Sequence, residues 1–436
     1  LSSLAEVRLW GKQVGVVALE DGDRAATFEY APGFVADGVE LSPLVMPVRA
    51  RARYRFPSLA EETFHGLPGM LADSLPDRYG NALIDTWLAQ QSRSAESFNA
   101  VERLCYVGSR GMGALEYAPA LGPRPAKSHR IDVGALAELA ALVIAHRDDL
   151  SVSLEEPERK AALGEILRVG SSAGGARAKA LIAFDASTGE VRSGQLDADP
   201  GFEHWILKFD GVSDSSREIG EPDGYGSIEW AYSLMAQRAG IEMTECRLLA
   251  ENDRRHFMTR RFDRLADGSK LHMQSLGAIE HLDFNLAGAH SYEQALFAIR
   301  RLGLPMSQSE EQFRRMAFNV VARNQDDHVK NIAFLMDATS EWRLSPAFDL
   351  VYAFNPSGAW TGRHQMSLNG RRDGFTVEDF REVGRTASMK RGRATEILAQ
   401  VREAVRLWPE FAERAGVPES RAAAIGSTHR LELPGG

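Results

Sequence analysis

A handful of polar side chains near the C-terminal third of the chain carry the spacing of a phosphoryl-transfer centre. Asp326 and Asp327 sit side by side in Asn324-Gln325-Asp326-Asp327-His328-Val329-Lys330-Asn331, and Asp349 follows in Leu344-Ser345-Pro346-Ala347-Phe348-Asp349-Leu350. In phosphoryl transfer one carboxylate accepts the proton of the attacking hydroxyl, while an amide oxygen and a second carboxylate hold Mg²⁺ against the phosphates. An acid, an amide five residues later (Asn331) and a second acid after a short strand supply these donors in order. The stretch therefore predicts a kinase-like catalytic loop. Two adjacent carboxylates compete for the role of base, and the five-residue interval to Asn331 selects Asp326. His328 on its own reads as a hydrogen-bonding residue, because metal ligation would need partners that the sequence does not place.

Such a loop needs a nucleotide opposite it, and the preceding chain offers the parts. Gly170-Ser171-Ser172-Ala173-Gly174-Gly175-Ala176-Arg177-Ala178-Lys179 is a small-residue loop before the apolar strand Ala180-Leu181-Ile182-Ala183-Phe184. It matches neither the Walker spacing nor the protein-kinase glycine pattern. Its backbone N–H groups could approach phosphates beside Lys179, or it could be an ordinary connection. His204-Trp205-Ile206-Leu207-Lys208-Phe209 reads as a strand with one lysine inside an apolar run. A lysine there either finds an anion or snorkels from a strand edge to solvent. The helix expected from Ile228 to Ala239, capped by Gly240, carries Glu229, which is either the partner of Lys208 or a first-turn acid complementing the helix dipole. His256 to Phe262 reads as a strand leading through Asp263-Arg264 to a turn at Asp267-Gly268.

Around these parts, residues 5 to 30 alternate apolar and polar positions and predict a β-meander. A punctuated stretch from Phe64 to Arg78 leads into a helix from about Tyr79 to Gln91. Gly108, Gly111 and Gly113 read as turn formers, and Pro119, Gly122, Pro123 and Pro125 as a linker. Asp132 is the expected N-cap of a helix reaching His146, and 155 to 169 gives another amphipathic helix. Beyond residue 265 the pattern is mainly helical: 291 to 302, 308 to 323, 377 to 384, 392 to 407 and 418 to 426. This change predicts an α+β chain with a mixed α/β N-terminal lobe, a mainly helical C-terminal lobe and the nucleotide between them. The expected division is 1–125 for an N-terminal subdomain, 126–264 for the nucleotide-binding part and 265–436 for the helical lobe.

Composition narrows the class of function. With 436 residues, 44% hydrophobic and 25% charged, the chain can bury a large core as a globular protein of two or more lobes. No apolar run suggests a membrane span, and the N-terminus lacks a signal-peptide pattern, although a start at Leu implies a trimmed initiator end. Cys105 and Cys246 show no metal spacing and fit a reducing cytoplasm. A net charge of -9 argues against coating nucleic acid by bulk electrostatics. Arg254, Arg255, Arg260, Arg261 and Arg264 form a local basic cluster that reads as a solvated charged face.

The chain resembles the HipA family of bacterial serine/threonine kinases, the toxin halves of toxin–antitoxin modules. The resemblance spans nearly the whole length, through Gly66-Leu67-Pro68 with Asp73 to Arg78, Gly111-Met112-Gly113-Ala114-Leu115, Ser172 to Lys179, Trp205 to Lys208, Arg261 to Arg264, Asp326 to Asn331 and Ser345 to Leu350. It implies a bilobal protein-kinase-like fold and ATP and Mg²⁺ as cofactors. Asp326 would be the base, Asn331 and Asp349 the metal ligands, and Lys208 a phosphate holder. Gly174, Gly175, Ala176, Arg177, Ala178 and Lys179 would cover the phosphates. Arg260, Arg261 and Phe262 would meet adenine through backbone groups, and His328, Lys330 and Phe348 would line the nucleotide site. Ser172 matches the serine that these kinases phosphorylate in themselves, a switch that would expel the loop from the site. A helix-turn-helix antitoxin of the HipB kind is the implied partner, with DNA reached through it, and a translation component such as an aminoacyl-tRNA synthetase is the implied substrate. The rival readings are a lipid or small-molecule kinase of the same fold and a catalytically silent antitoxin-binding co-repressor.

Overall fold

The computed structural model describes residues 3–76, 78–123, 130–145, 177–194, 200–212 and 224–435. The helix expected over 155–169 and Ser172, Gly174, Gly175 and Ala176 lie outside the described residues.

The alternating N-terminal pattern folds into β1 (Ser3–Leu9), β2 (Lys12–Leu19), β3 (Thr27–Tyr30) and β4 (Arg53–Tyr54), and β5 (Leu115–Ala118) completes a five-stranded antiparallel sheet in the order β4-β3-β2-β1-β5. Ala5, Val7 and Leu9 share the buried face of β1, as positions two apart must. They join Val17, Phe28, Leu71 and Leu104 in a core of their own. Helices α1 (Pro32–Asp37), α2 (Glu61–Phe64), α3 (Gly69–Ala72), α4 (Arg78–Ala89) and α5 (Ala100–Val107) lie between β3 and β5 in the chain, and α4 places Tyr79, Ala82 and Leu83 in the core of the second sheet. A capping box starts α5: Asn99 Oδ1 accepts the Glu102 N–H at 3.1 Å and Glu102 accepts the Asn99 N–H at 3.0 Å. Between α2 and α3, Gly66 has φ 73°, and a Cβ there would fall 2.1 Å from the Arg24 carbonyl oxygen. The Gly66-Leu67-Pro68 corner therefore requires glycine.

The second sheet is antiparallel in the order β7-β6-β8-β10-β9, from β6 (Lys179–Asp185), β7 (Glu190–Ser193), β8 (Glu203–Lys208), β9 (Cys246–Glu251) and β10 (Arg254–Arg260). Helix α6 (Val133–Ala145) covers one face, where Ala180, Ile182, Trp205 and Leu207 pack with Leu136, Ala140 and Val143. Asp132 caps α6 as expected, accepting the Ala135 N–H at 3.1 Å. Side chains alternate across a strand, so Lys208, next to Leu207, projects from the opposite face. The register sets Lys179 directly opposite Lys208. Like charges so placed repel, and this end of the sheet calls for anions.

Helix α7 (Tyr225–Arg238) supplies one and lies against β9 and β10. It begins three residues before the expected start, which puts Glu229 in the second turn and overturns the first-turn dipole reading. Gly226 allows the close approach: a Cβ would meet the Arg255 carbonyl oxygen at 2.0 Å.

The C-terminal lobe packs α8 (Leu276–Glu280), α9 (Tyr292–Arg301), α10 (Met306–Val321), α11 (Val377–Thr386), α12 (Arg393–Arg406), α13 (Trp408–Ala415) and α14 (Glu419–Thr428) around a core that includes Phe313, Phe318, Phe380, Val401 and Trp408. A small sheet, β11 (His272–Ser275), β13 (Ala333–Met336) and β14 (Trp342–Leu344), borders it, and β12 (His290–Ser291) pairs in parallel with β15 (Met366–Ser367). Several elements escape the sequence pattern, among them the β11-β13-β14 sheet, β9 and α13. Edge strand β9 has no fully buried position, so it lacks the alternation that marks a half-buried strand. Helix α13 follows α12 with Leu407 as the shared cap and lies beyond the run expected over 392–407. Among the described residues no helix is long and apolar enough to cross a membrane.

The N-terminal subdomain is bonded to the rest rather than tethered. Asp73 accepts both the N–H (2.7 Å) and the hydroxyl (2.8 Å) of Ser275, His281 Nε2 accepts the Gly69 N–H (3.0 Å), and Trp10 Nε1 donates to the Lys270 carbonyl (2.6 Å). The basic cluster divides: Arg255 and Arg260 stay exposed as a solvated face, while Arg261 and Arg264 turn inward. Arg261 is 4% exposed and grips Asp263 with two bonds of 2.9 and 2.8 Å, and Arg264 donates to the same carboxylate at 2.9 Å. Asp263 also accepts the Gly113 N–H at 2.7 Å, and both arginines donate to the Gly111 carbonyl. The glycine turn of the first subdomain thus clamps the segment that follows β10.

Candidate active site

The two adjacent carboxylates of the loop after α10 have opposite fates. Asp327 is 2% exposed and accepts the Tyr292 hydroxyl at 2.5 Å, His364 Nδ1 at 2.7 Å and the Gln365 N–H at 2.8 Å. Arg430 can only donate, so His364 Nε2 accepts its Nη1 (2.9 Å), and the proton that His364 gives to Asp327 sits on Nδ1. Burial first, and then the charge of Asp327, push the Tyr292 hydroxyl well above its ordinary pKa, which keeps it a donor. Asp327 is therefore saturated by the fold. Asp326, half-buried, faces a cavity of about 610 Å³ between the lobes. Its carbonyl accepts Asn331 Nδ2 at 2.8 Å, which closes the loop between the predicted base and the predicted amide ligand.

On the far wall Lys208 Nζ donates to Glu229 Oε1 at 2.5 Å and also bonds Asp349. Glu229 is 3% exposed, and Arg177 approaches its other oxygen at 3.9 Å while lying 3.4 Å over the Tyr225 ring. Burial alone would lower the pKa of the Lys208 ammonium, but the Asp349 and Glu229 charges outweigh it and raise the value. Burial likewise disfavours ionised Asp349, yet Lys208 and then Lys179 hold its carboxyl down to about 2. The group is ionised at any neutral pH. Asn324 Nδ2 donates to the Asp349 carbonyl (3.2 Å), tying the second acid to the catalytic loop.

The cavity gathers most of the residues that the sequence singles out. Arg177, Lys179, Lys208 and Glu229 line one side, Asp326, His328, Lys330 and Asn331 another, and Arg260, Arg261, Phe262, Phe348 and Asp349 the end between them. The Phe262 and Phe348 rings touch each other, tilted with centroids 5.7 Å apart, and together give this end of the cavity an apolar wall, while Phe284 meets both His328 (5.5 Å) and Lys330 (4.8 Å). One expectation needs correction and another is narrowed. Ala178 is fully buried in the core beneath α6 and its carbonyl accepts the Phe209 N–H (3.1 Å), so its side chain does not border the cavity. The amides of Arg260 and Arg261 already donate to Glu245 (2.9 Å) and His204 (2.8 Å), because the sheet continues past the strand end. Among the described residues the Phe262 amide donates to no backbone carbonyl, which leaves it as the amide of this segment able to meet a ligand.

The donor set suits Mg²⁺. Among the described residues no group of three or more His, Cys, Asp and Glu could hold a metal alone. Asn331 and ionised Asp349 offer hard oxygen ligands at the same cavity wall, and Mg²⁺ characteristically takes one or two carboxylates and completes its shell with phosphates and water.

Sequence reasoning misses several contributors. Trp360 donates its indole N–H to Asp326 Oδ1 at 2.6 Å, and Tyr292, His364 and Gln365 hold Asp327. Thr63, His65, Arg78 and Asn81 of the first subdomain complete the cavity on the Lys330 side. None has a spacing signal relative to Asp326, since each arrives through tertiary folding. The resemblance to HipA around Gly66 and Arg78 was the only pointer to that wall.

A mixed α/β lobe and a helical lobe meeting at this cleft define a bilobal kinase-like fold. A family model for the HipA N-terminal domain matches residues 5–118 and one for the HipA-like C-terminal domain matches residues 171–408, so the chain belongs to the HipA family of toxins. Among solved structures it is similar to HipA in the Shewanella oneidensis MR-1 HipA, HipB and operator DNA complex, at 15% identity and a TM-score of 0.67, covering 97% of this chain and 94% of that one. A Helicobacter pylori proinflammatory kinase, CtkA, aligns over 51% of this chain and 92% of its own at 12% identity, with a TM-score of 0.30. A comparison with curated proteins finds no match.

Proposed function

We propose that this chain is an ATP- and Mg²⁺-dependent serine/threonine protein kinase acting as the growth-inhibiting toxin of a toxin–antitoxin module. The observation that carries the reading is the division of labour around one cavity: Asp326 faces it with a carboxylate, Asp327 is withdrawn into the fold, and Lys208 joins Glu229 and Asp349 opposite. Asp326 takes the proton of an acceptor hydroxyl. Lys208 and Lys179 place positive charge where phosphates lie, and Glu229 keeps Lys208 from collapsing onto solvent. Phe262 and Phe348 hold the base. Asn331 and Asp349 would hold Mg²⁺, which when bound would supply positive charge against the phosphates.

The same reading extends to partners. The Shewanella HipA is found with HipB and operator DNA, and we infer a helix-turn-helix antitoxin of that kind for this chain, with DNA contact mostly through it, as a net charge of -9 favours. A translation component such as an aminoacyl-tRNA synthetase is the proposed protein substrate, Ser172 the proposed site of autophosphorylation, and the cytoplasm the proposed compartment. Purified chain with labelled ATP and Mg²⁺ is expected to label itself at Ser172, and Asp326→Asn to abolish labelling while the protein stays folded. Undiminished labelling by that variant would overturn the assignment, and a lipid panel labelled in the absence of any labelled protein would redirect it.

A further inference from the structure

The segment 360–365 makes a bond to each of three consecutive residues of the catalytic loop. Gln325 Nε2 donates to the Thr361 carbonyl at 2.9 Å, the Trp360 indole donates to Asp326 Oδ1 at 2.6 Å, and Asp327 accepts the Gln365 N–H and His364 Nδ1. Gln365 Nε2 returns the grip, donating to the Gln325 carbonyl at 3.1 Å and to the Trp360 carbonyl at 2.5 Å. Most of these bonds hold backbone in place. The indole bond is different, because it ends on the carboxylate that faces the cavity.

Asp326 lines the cavity and Trp360 does not. The indole therefore approaches the carboxylate from behind, on the protein side. Among the described residues nothing donates to Asp326 Oδ2. The other polar neighbour of Oδ1, His328 Nε2, stands at 3.9 Å, beyond hydrogen-bond reach. A free aspartate side chain exchanges its two oxygens by rotation about χ2, which is soft and twofold. A charge-assisted bond to one oxygen fixes which oxygen is left for chemistry.

We infer that Trp360 is a positioning residue that holds Asp326 Oδ1 so that Oδ2 alone meets the acceptor hydroxyl. The inference rests on the kinase reading. In that reaction the hydroxyl proton passes to Oδ2, the hydroxyl oxygen forms a bond to the γ-phosphorus of a nucleoside triphosphate, and the bond from that phosphorus to the bridging β–γ oxygen breaks. The nucleoside diphosphate leaves with that electron pair, and the protonated Asp326 later returns its proton to water. Trp360 does not line the cavity, so its loss should misplace the base while leaving the nucleotide site unchanged.

Trp360→Phe keeps the ring and removes the N–H. It should lower kcat roughly 10- to 100-fold, the effect of losing one hydrogen bond to a charged group, with the KM for ATP unchanged. Trp360→Gln, which restores an N–H donor, should recover part of that loss. In an Asp326→Ala background Trp360→Phe should cost nothing further, since the two act as a unit. A readout independent of turnover is the Trp360 indole ¹H–¹⁵N signal, assigned by its disappearance in Trp360→Phe and expected to move when Asp326→Ala removes the acceptor. An active wild type with kcat unchanged in Trp360→Phe, or an indole signal indifferent to Asp326→Ala, overturns the positioning role alone. A wild type that transfers no phosphate, even with Mg²⁺ and an indole signal that does move, overturns the kinase reading itself and this role with it.

Discussion

Asparagine substitution at the two neighbouring aspartates should separate stability from activity. Asp327→Asn replaces a buried carboxylate oxygen with an amino group in a pocket where all three neighbours donate: Tyr292 at 2.5 Å, His364 at 2.7 Å and the Gln365 amide at 2.8 Å. Each bond to a charged acceptor is worth roughly 1.5–3 kcal/mol, and the bonds are not additive. One donor can still find the amide oxygen, so a net loss of about 3–5 kcal/mol is the scale, similar to breaking a buried ion pair. With a urea dependence of about 2–3 kcal/mol per molar, the unfolding midpoint should fall by roughly 1–2.5 M. Asp326→Asn keeps an oxygen for the Trp360 indole and sits at the cavity edge, so its midpoint should lie within about 0.3 M of wild type while phosphate transfer disappears. Urea unfolding followed by far-UV circular dichroism, paired with labelled-ATP assays on the same preparations, reads both quantities. Equal midpoints for Asp327→Asn and wild type, or an Asp326→Asn protein as unstable as Asp327→Asn, would refute the assignment of one acid to the fold and the other to chemistry.

Removing divalent metal with EDTA should stop phosphate transfer yet leave the urea midpoint of the chain without nucleotide unchanged, because Asn331 and Asp349 offer too few ligands to hold a structural ion; a large drop in midpoint would contradict this. Lys208→Met leaves Glu229 and Asp349 without the cation between them and should lower stability by about 3–5 kcal/mol as well as ATP affinity, checked by unfolding and calorimetry. Gly226→Ala drives a methyl toward the Arg255 carbonyl, pushes α7 off β10 and carries Glu229 with it; an expected loss of about 1–3 kcal/mol should come with reduced kcat, and a fully active, stable variant would show that the packing relaxes freely. His256 and His272 are both fully buried, and burial lowers their pKa values to about 4 and about 3. The folded state holds them neutral while the unfolded chain protonates them near 6.5, so the unfolded state binds more protons below that pH. Stability should therefore be full above about pH 7 and fall steadily as pH drops from 6.5 toward 4, and a flat urea midpoint across that window would exclude the linkage.

The sequence by itself determined the chemistry-bearing order of this protein: Lys208, Glu229, Asp326, Asn331 and Asp349 all reach one cleft. Their legibility has a physical basis. The loop from Asp326 to Asn331 is local, closed by a side-chain bond across five residues, and the meander, α6 with its Asp132 cap, and the helices of the C-terminal lobe follow from periodicity and capping. Where burial is absent, as in β9, the pattern carries no strand signal, and α13, starting directly after the shared cap at Leu407, lies beyond the expected 392–407 run. Only the tertiary structure decided which member of Asp326-Asp327 keeps a free oxygen, because the donors that saturate Asp327 come from Tyr292, His364 and Gln365, all distant along the chain. The same holds for Trp360 behind Asp326, for the first subdomain's wall at His65 and Arg78, and for Arg261 and Arg264, which turn inward onto Asp263. Hydrogen-bond donors and acceptors pair by position in space, and a linear pattern records position only within a few residues.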